Sequence, residues 1–173
     1  MKRPHRVGSI DIWVDIDYAG CRETRKSTSG GGVIMMGSHM IKSWSNTQSV
    51  IALSSGEAEY YGMVRGASIG IGIRGIMSDL GVEARIRMMT DSSAAVGVVK
   101  RKGIGKIKHI EMNQLWLQDK VAGGDVEVIK VKGADNIADA LTKHNEQALL
   151  AMHMRRTMQE IEADRHELAP KSE

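Results

Sequence analysis

Phenylalanine is missing from this chain, and tyrosine and tryptophan bring the aromatic content to only 3%. A platform that holds single-stranded nucleic acid by stacking bases on exposed rings is therefore excluded. Cysteine is almost as scarce. Cys21 stands alone, so the chain can form no internal disulfide and no paired-cysteine zinc site, which points to a reducing intracellular compartment, cytoplasmic or nuclear. No run of about 18 apolar residues occurs, and the basic start Met1-Lys2-Arg3-Pro4-His5-Arg6 leads into no apolar segment. Neither a membrane span nor a secretory signal is expected. Proline appears twice, and the 19 glycines are scattered rather than clustered, which leaves no low-complexity linker.

What is plentiful is apolar: 42% of 173 residues is enough for one domain with a real core. The net charge is only +3. Even so, the pI near 9.0 and the clusters Lys2-Arg3, Arg25-Lys26, Lys100-Arg101-Lys102, Lys106 and Lys108 favour a polyanionic partner.

Residues 10–20 alternate Ile10, Ile12, Val14 and Ile16 with Asp11, Trp13, Asp15 and Asp17. Strict period two describes a strand with one buried face. Aspartates are poor strand formers and repel one another, so three on one face mark either a solvated surface or part of a site. Residues 33–36 and 40–44 are short apolar strands joined at Gly37-Ser38, completing an antiparallel meander. Ser54-Ser55-Gly56-Glu57 fits a capping box with Ser54 as N-cap, and predicts a helix from about residue 55 to residue 80. Five glycines interrupt it, each costing about 1 kcal/mol relative to alanine. Gly62, Gly66 and Gly70 recur every four residues on the side of Glu59, so this face could approach another backbone closely. The alternative is a helix broken near Gly70. Ile69, Ile73, Ile76 and Leu80 form a second, apolar stripe.

Residues 84–90 alternate as a fourth strand, and Ser92-Ser93-Ala94-Ala95-Val96 starts a helix directly after it. Asp91 then lies at the carboxyl end of a strand, where open α/β sheets place their sites. A basic loop over 100–108, a helix over 107–121 and a fifth strand over 125–131 follow. A last helix begins before Asp139 and continues through Leu150, Met154, Met158 and Ile161, and its charged end at 162–173 is expected to fray. The expected fold is α/β: a five-stranded mixed sheet, three strands as an antiparallel meander and two parallel, flanked by helices. Asp15, Glu59, Asp91 and Asp139 come from four distant segments. Such a set can hold two hard divalent cations about 3.5–4 Å apart by oxygen ligands.

The motifs Val14-Asp15-Ile16-Asp17-Tyr18-Ala19-Gly20, Arg25-Lys26-Ser27-Thr28-Ser29-Gly30, Ser43-Trp44-Ser45 with Gln48-Ser49-Val50, and Ala52-Leu53-Ser54-Ser55-Gly56-Glu57-Ala58-Glu59-Tyr60 follow one another in this order. Thr90-Asp91-Ser92-Ser93-Ala94, Lys108-His109-Ile110-Glu111 and Ala138-Asp139-Ala140-Leu141-Thr142-Lys143 continue the series. In that order and spacing, over roughly residues 9–144, they resemble the ribonuclease H domain of copia-type LTR retrotransposon polyproteins. The resemblance implies a ribonuclease H-like fold and hydrolysis of the RNA strand of RNA/DNA hybrids with two ions of Mg²⁺ or Mn²⁺. It makes Asp15 the carboxylate bridging both ions, sets Glu59 and Asp91 on one and Asp139 on the other, and turns Arg25, Lys26, Ser27, Thr28, Ser92, Lys108, His109 and Asn136 toward the substrate. Asp15 is chosen over Asp17, and Glu59 over Glu57, by the motif register; Glu57 already has a capping task.

The resemblance further implies a reverse transcriptase domain supplied elsewhere. Residues 9–145 are then the ribonuclease H domain, 1–8 a basic N-terminal extension and 146–173 a C-terminal helical extension. Many ribonucleases H carry a histidine shortly before the last aspartate, but residues 133–139 contain none, so no proton-transfer role is carried over. An integrase or transposase would place its glutamate last of the acids, whereas here Glu59 comes second. The other competing reading is a catalytically inactive domain kept for binding nucleic acid or a partner.

Overall fold

The computed structural model of the protein describes residues 5–20, 23–28, 32–103, 105, 115–143 and 145–159. Five strands, β1 (His5–Val14), β2 (Gly32–Met36), β3 (His39–Trp44), β4 (Val82–Thr90) and β5 (Val126–Lys130), form one sheet in the order β3-β2-β1-β4-β5. β1–β2 and β2–β3 pair antiparallel, while β4 lies parallel to β1 and β5 parallel to β4. This is the mixed sheet that the alternation patterns predict. The helices are α1 (Ser55–Asp79), α2 (Ser93–Lys100), α3 (Trp116–Ala122) and α4 (Gln147–Arg156), with 3-10 turns at Gly133–Asp135 and Ile137–Leu141. No described helix is long and apolar enough to cross a membrane.

The even-numbered residues of β1 anchor the core. Ile12 pairs with Ile34 on β2 and Met88 on β4, and Met88 pairs with Val128 on β5. All four are buried, each contributing on the order of 1.5–3 kcal/mol through loss of apolar contact with water. α1 covers this row, and its glycine face makes the contact. A Cβ built at Gly62 would come within 2.5 Å of Ile16 Cδ1, one at Gly66 within 2.9 Å of Val14 Cγ1, and one at Gly70 within 2.2 Å of Ile12 Cδ1. The glycines thus admit the side chains of β1 and the segment just after it, and the helix runs unbroken through Gly70. Because that face turns inward, part of the apolar stripe faces away: Ile76 is 63% and Leu80 73% exposed.

The first strand differs from its expected bounds at both ends. It begins at His5, inside the stretch read as an extension, because the long β4 offers Val82 and Glu83 as parallel partners. It ends at Val14, so Asp15 and Ile16 are both buried and the alternation stops there. Of the odd-numbered aspartates, Asp11 lies beside Arg87 in the β1–β4 register and accepts from Arg87 Nε at 2.8 Å. Asp17 makes a backbone bridge to Thr28. The helix expected over 107–121 is described only from Trp116 on.

The single last helix is replaced by a 3-10 turn at Ile137–Leu141 and a separate α4. Asn136 caps that turn, its Oδ1 accepting from Ala138 N, and α4 starts only at Gln147. The side chains that α4 and its end bury are His153 and Thr157, while Leu150 and Met158 are exposed. Arg156 donates to the Asp135 carbonyl oxygen at 3.1 Å and stacks over the Trp13 ring, 5.7 Å from its centre, which seats α4 against the sheet. Ile161 and residues 162–173 lie outside the described residues.

Candidate active site

Parallel pairing brings the first two carboxylates together. Trp13 lies opposite Met89, so continuing the register past the carboxyl ends of β1 and β4 sets Asp15 beside Asp91. Glu59 reaches the same point from the second turn of α1, whose start is fixed by Ser54: its hydroxyl accepts from Glu57 N at 3.2 Å. Carboxylate oxygens of Asp15, Glu59 and Asp91 all lie within 4.8 Å of one another. Glu57 is directed elsewhere. It is buried, accepting from Leu53 N at 3.1 Å and from the Tyr61 hydroxyl at 2.7 Å, so its role is to hold the helix entry. Asp17 is likewise outside the group and sits over Gly20, where a Cβ would overlap its carboxylate.

Asp139 approaches from the 3-10 turn and is not in the close threesome; Lys143 connects it. The Lys143 ammonium lies 2.6 Å from Asp139 Oδ1 and 3.5 Å from Asp15 Oδ2. The Thr142 hydroxyl donates to that same Asp15 oxygen and lies 3.2 Å from the Asp139 carbonyl oxygen. Asn136 sets the turn in place. Its side-chain nitrogen donates to the Val14 carbonyl oxygen at 2.9 Å and its oxygen accepts from Ala138 N at 3.2 Å, tying the Asp139 turn to the end of β1.

Burial dominates the electrostatics. It pushes Glu59 up to about 8, and the nearby Asp15 and Asp91 carboxylates add to the shift. Asp15 is raised above the ordinary carboxylate range, first by burial and then by Asp139 and Asp91, although the Thr142 hydrogen bond and Lys143 oppose the rise. Burial works against the Lys143 ammonium, but Asp139 and Asp15 outweigh it and hold the amine above the ordinary lysine range. Carboxyls that burial and mutual repulsion hold back from ionising gain from a cation placed among them. Glu59 Oε2 is buried with no hydrogen-bond partner among the described residues. Three clustered carboxylates, one with an orphaned buried oxygen, are a donor set that fits a hard divalent cation.

The residues expected to face substrate divide. Arg25 is exposed, Lys26 and Thr28 are half-buried, and Ser92 is half-buried with its hydroxyl accepting from Ala95 N at 3.2 Å as the cap of α2. Two others are enclosed. Ser27 is buried and accepts from Ala19 N at 3.1 Å, and Asn136 is fully buried with its amide spent as above. Both hold local backbone in place. Lys108 and His109 lie outside the described residues. Sequence reasoning gave no role to Thr142 and Lys143. The Asp139–Lys143 spacing of four carried a signal, since such residues are neighbours on a helical turn.

No family model matches the chain. It is 30% identical over 134 residues to the retrovirus-related Pol polyprotein from transposon TNT 1-94 of Nicotiana tabacum, covering 76% of this chain and 10% of that protein. It is 28% identical over 138 residues to the retrovirus-related Pol polyprotein from transposon RE1 of Arabidopsis thaliana, covering 78% and 9%. The chain therefore spans about a tenth of the length of these relatives. Among solved structures, LC11-RNase H1, isolated from compost by a metagenomic approach, superposes with a TM-score of 0.50 at 18% identity over 77% of this chain and 91% of that one. That likeness identifies the fold as ribonuclease H-like.

Proposed function

Since the chain is a ribonuclease H-fold homologue of the Pol polyproteins of copia-type transposons, we propose that it hydrolyses the RNA strand of RNA/DNA hybrids with the help of divalent metal, Mg²⁺ or Mn²⁺. The observation that carries this reading is the convergence of Asp15, Glu59 and Asp91 at the carboxyl edge of the sheet. Asp15, Glu59 and Asp91 would hold one divalent ion, and Asp139 with Asp15 would serve a second. When bound, such ions lower the pKa of the attacking water and stabilise charge on the leaving 3′ oxygen and the phosphorus. The chain's own part is to hold its carboxylates close together, where burial and mutual repulsion favour the entry of a cation. Glu59 would give up its proton on becoming a ligand, while Thr142 and Asn136 fix Asp15 and the Asp139 turn relative to each other.

Arg25, Lys26, Thr28 and Ser92 are assigned to the nucleic-acid backbone, together with Lys108 and His109 of the basic loop. Discrimination of RNA from DNA then rests on hydrogen bonds to the 2′-OH. Residues 9–145 are taken as the catalytic unit, with a reverse transcriptase domain supplied elsewhere in the polyprotein. The test is an end-labelled RNA/DNA hybrid incubated with the protein and Mg²⁺, beside duplex DNA of the same sequence. Cleavage confined to the RNA strand is expected. Equal cutting of both substrates rejects the assignment, and hybrid binding without cleavage turns it into that of an inactive binding module.

A further inference from the structure

The four carboxylates do not form an even ring. Asp15, Glu59 and Asp91 cluster with a buried Glu59 oxygen left unpartnered, whereas the space between Asp15 and Asp139 is taken by the Lys143 ammonium, 3.5 Å from one and 2.6 Å from the other. A divalent cation bridging those two residues would need to sit about 2.0–2.6 Å from each ligand oxygen, in the region the ammonium now fills, and would repel it. Lysine is a compact point charge on a flexible stem, and the Lys143 side chain is 46% exposed, so it can turn outward without repacking the core. Asp139 by contrast is fixed on a short turn that Asn136 ties to β1.

We propose that Lys143 is a displaceable counter-ion: it holds the Asp15–Asp139 side in the metal-free protein, confines the first divalent ion to the Asp15–Glu59–Asp91 side, and yields to a second ion by swinging to a phosphate of the bound nucleic acid. The proposal rests on the ribonuclease H reading for the identity of the phosphate, but not for the order of ion binding. Lys143 is on this account a positioning residue. Its effect is on where and when cations bind.

The experiment counts Mn²⁺ bound to the full chain without nucleic acid, by the electron paramagnetic resonance of the free ion, for the original protein, Lys143→Gln and Lys143→Arg. The original protein is expected to bind one ion well and a second about tenfold or more weaker, the scale of a typical coupling between sites. Lys143→Gln should strengthen the second step by a similar factor, while Lys143→Arg keeps the original pattern. Thermal unfolding in EDTA and in Mn²⁺ checks that each variant folds, with Lys143→Gln less stable than the original in EDTA and recovered by Mn²⁺. Two equivalent ions in the original protein, or the same binding curve for all three proteins, overturns the proposal. A failed hybrid-cleavage assay would defeat the ribonuclease H reading and leave these ion counts standing, so the two failures are distinct.

Discussion

Under the proposed function Glu59 is a ligand in a place that disfavours its charge. Its carboxyl is raised from 4.5 to about 8, first by burial and then by Asp15 and Asp91. In metal-free protein the folded state keeps this proton across that window while the unfolded chain gives it up. The unfolded state then binds fewer protons, so the stability linked to Glu59 is present below about 4.5 and is lost as pH rises toward 8. Thermal unfolding in EDTA should therefore show a melting temperature that falls over this range, and Glu59→Gln should flatten the fall; an original protein whose profile already matches the variant contradicts the burial of Glu59 among acids. That Glu59 rather than Glu57 lies beside Asp15 and Asp91 agrees with the motif register, and Glu57 holds the helix entry as the Ser54 box suggests. The work of Thr142 and Lys143 was not legible in the sequence, because it depends on contact with Asp15 more than a hundred residues away.

At the scale of the element, α1 shows how a poor helix sequence can be required by packing. Gly66 faces Val14 Cγ1 at 2.9 Å and Ile12 Cγ2 at 3.1 Å from a built Cβ, and both neighbours are β-branched and stiff. Gly66→Ala should therefore lower stability by about 1 kcal/mol or more through overpacking. Nothing lies within 4 Å of a Cβ at Gly72 or Gly75, so alanine at either should raise stability by about 0.5–1 kcal/mol. Chemical denaturation of the three variants measures this; a uniform gain at all three positions would mean that the glycine face does not lie on β1. The spacing of four revealed the close-approach face. It did not reveal which stripe turns outward, since Ile76 and Leu80 match the helical period as well as buried residues do, and only the seating of α1 on β1 decides between them.

For the whole molecule, the five-stranded mixed sheet was legible in the alternation patterns, whereas its order β3-β2-β1-β4-β5 comes from the structure. The last segment was less legible, since its apolar spacing suited one long helix while Asn136 and the 3-10 turn divide it. α4 is docked through Arg156, His153 and Thr157, so ending the chain after Asn145 should lower the melting temperature by about 5 °C or more. Mg²⁺ should raise the melting temperature of both the full and the shortened chain by binding the folded state, because all four carboxylates precede the cut; loss of that response in a truncated protein that still folds would place the tail in the site. The central claim is that these distant carboxylates act as one metal-dependent centre, and cleavage of a labelled RNA/DNA hybrid by the original protein and by Asp15→Asn, with and without Mg²⁺, tests it most directly. The account predicts RNA-strand cleavage only for the original protein in Mg²⁺, whereas cleavage by Asp15→Asn at the original rate would contradict it.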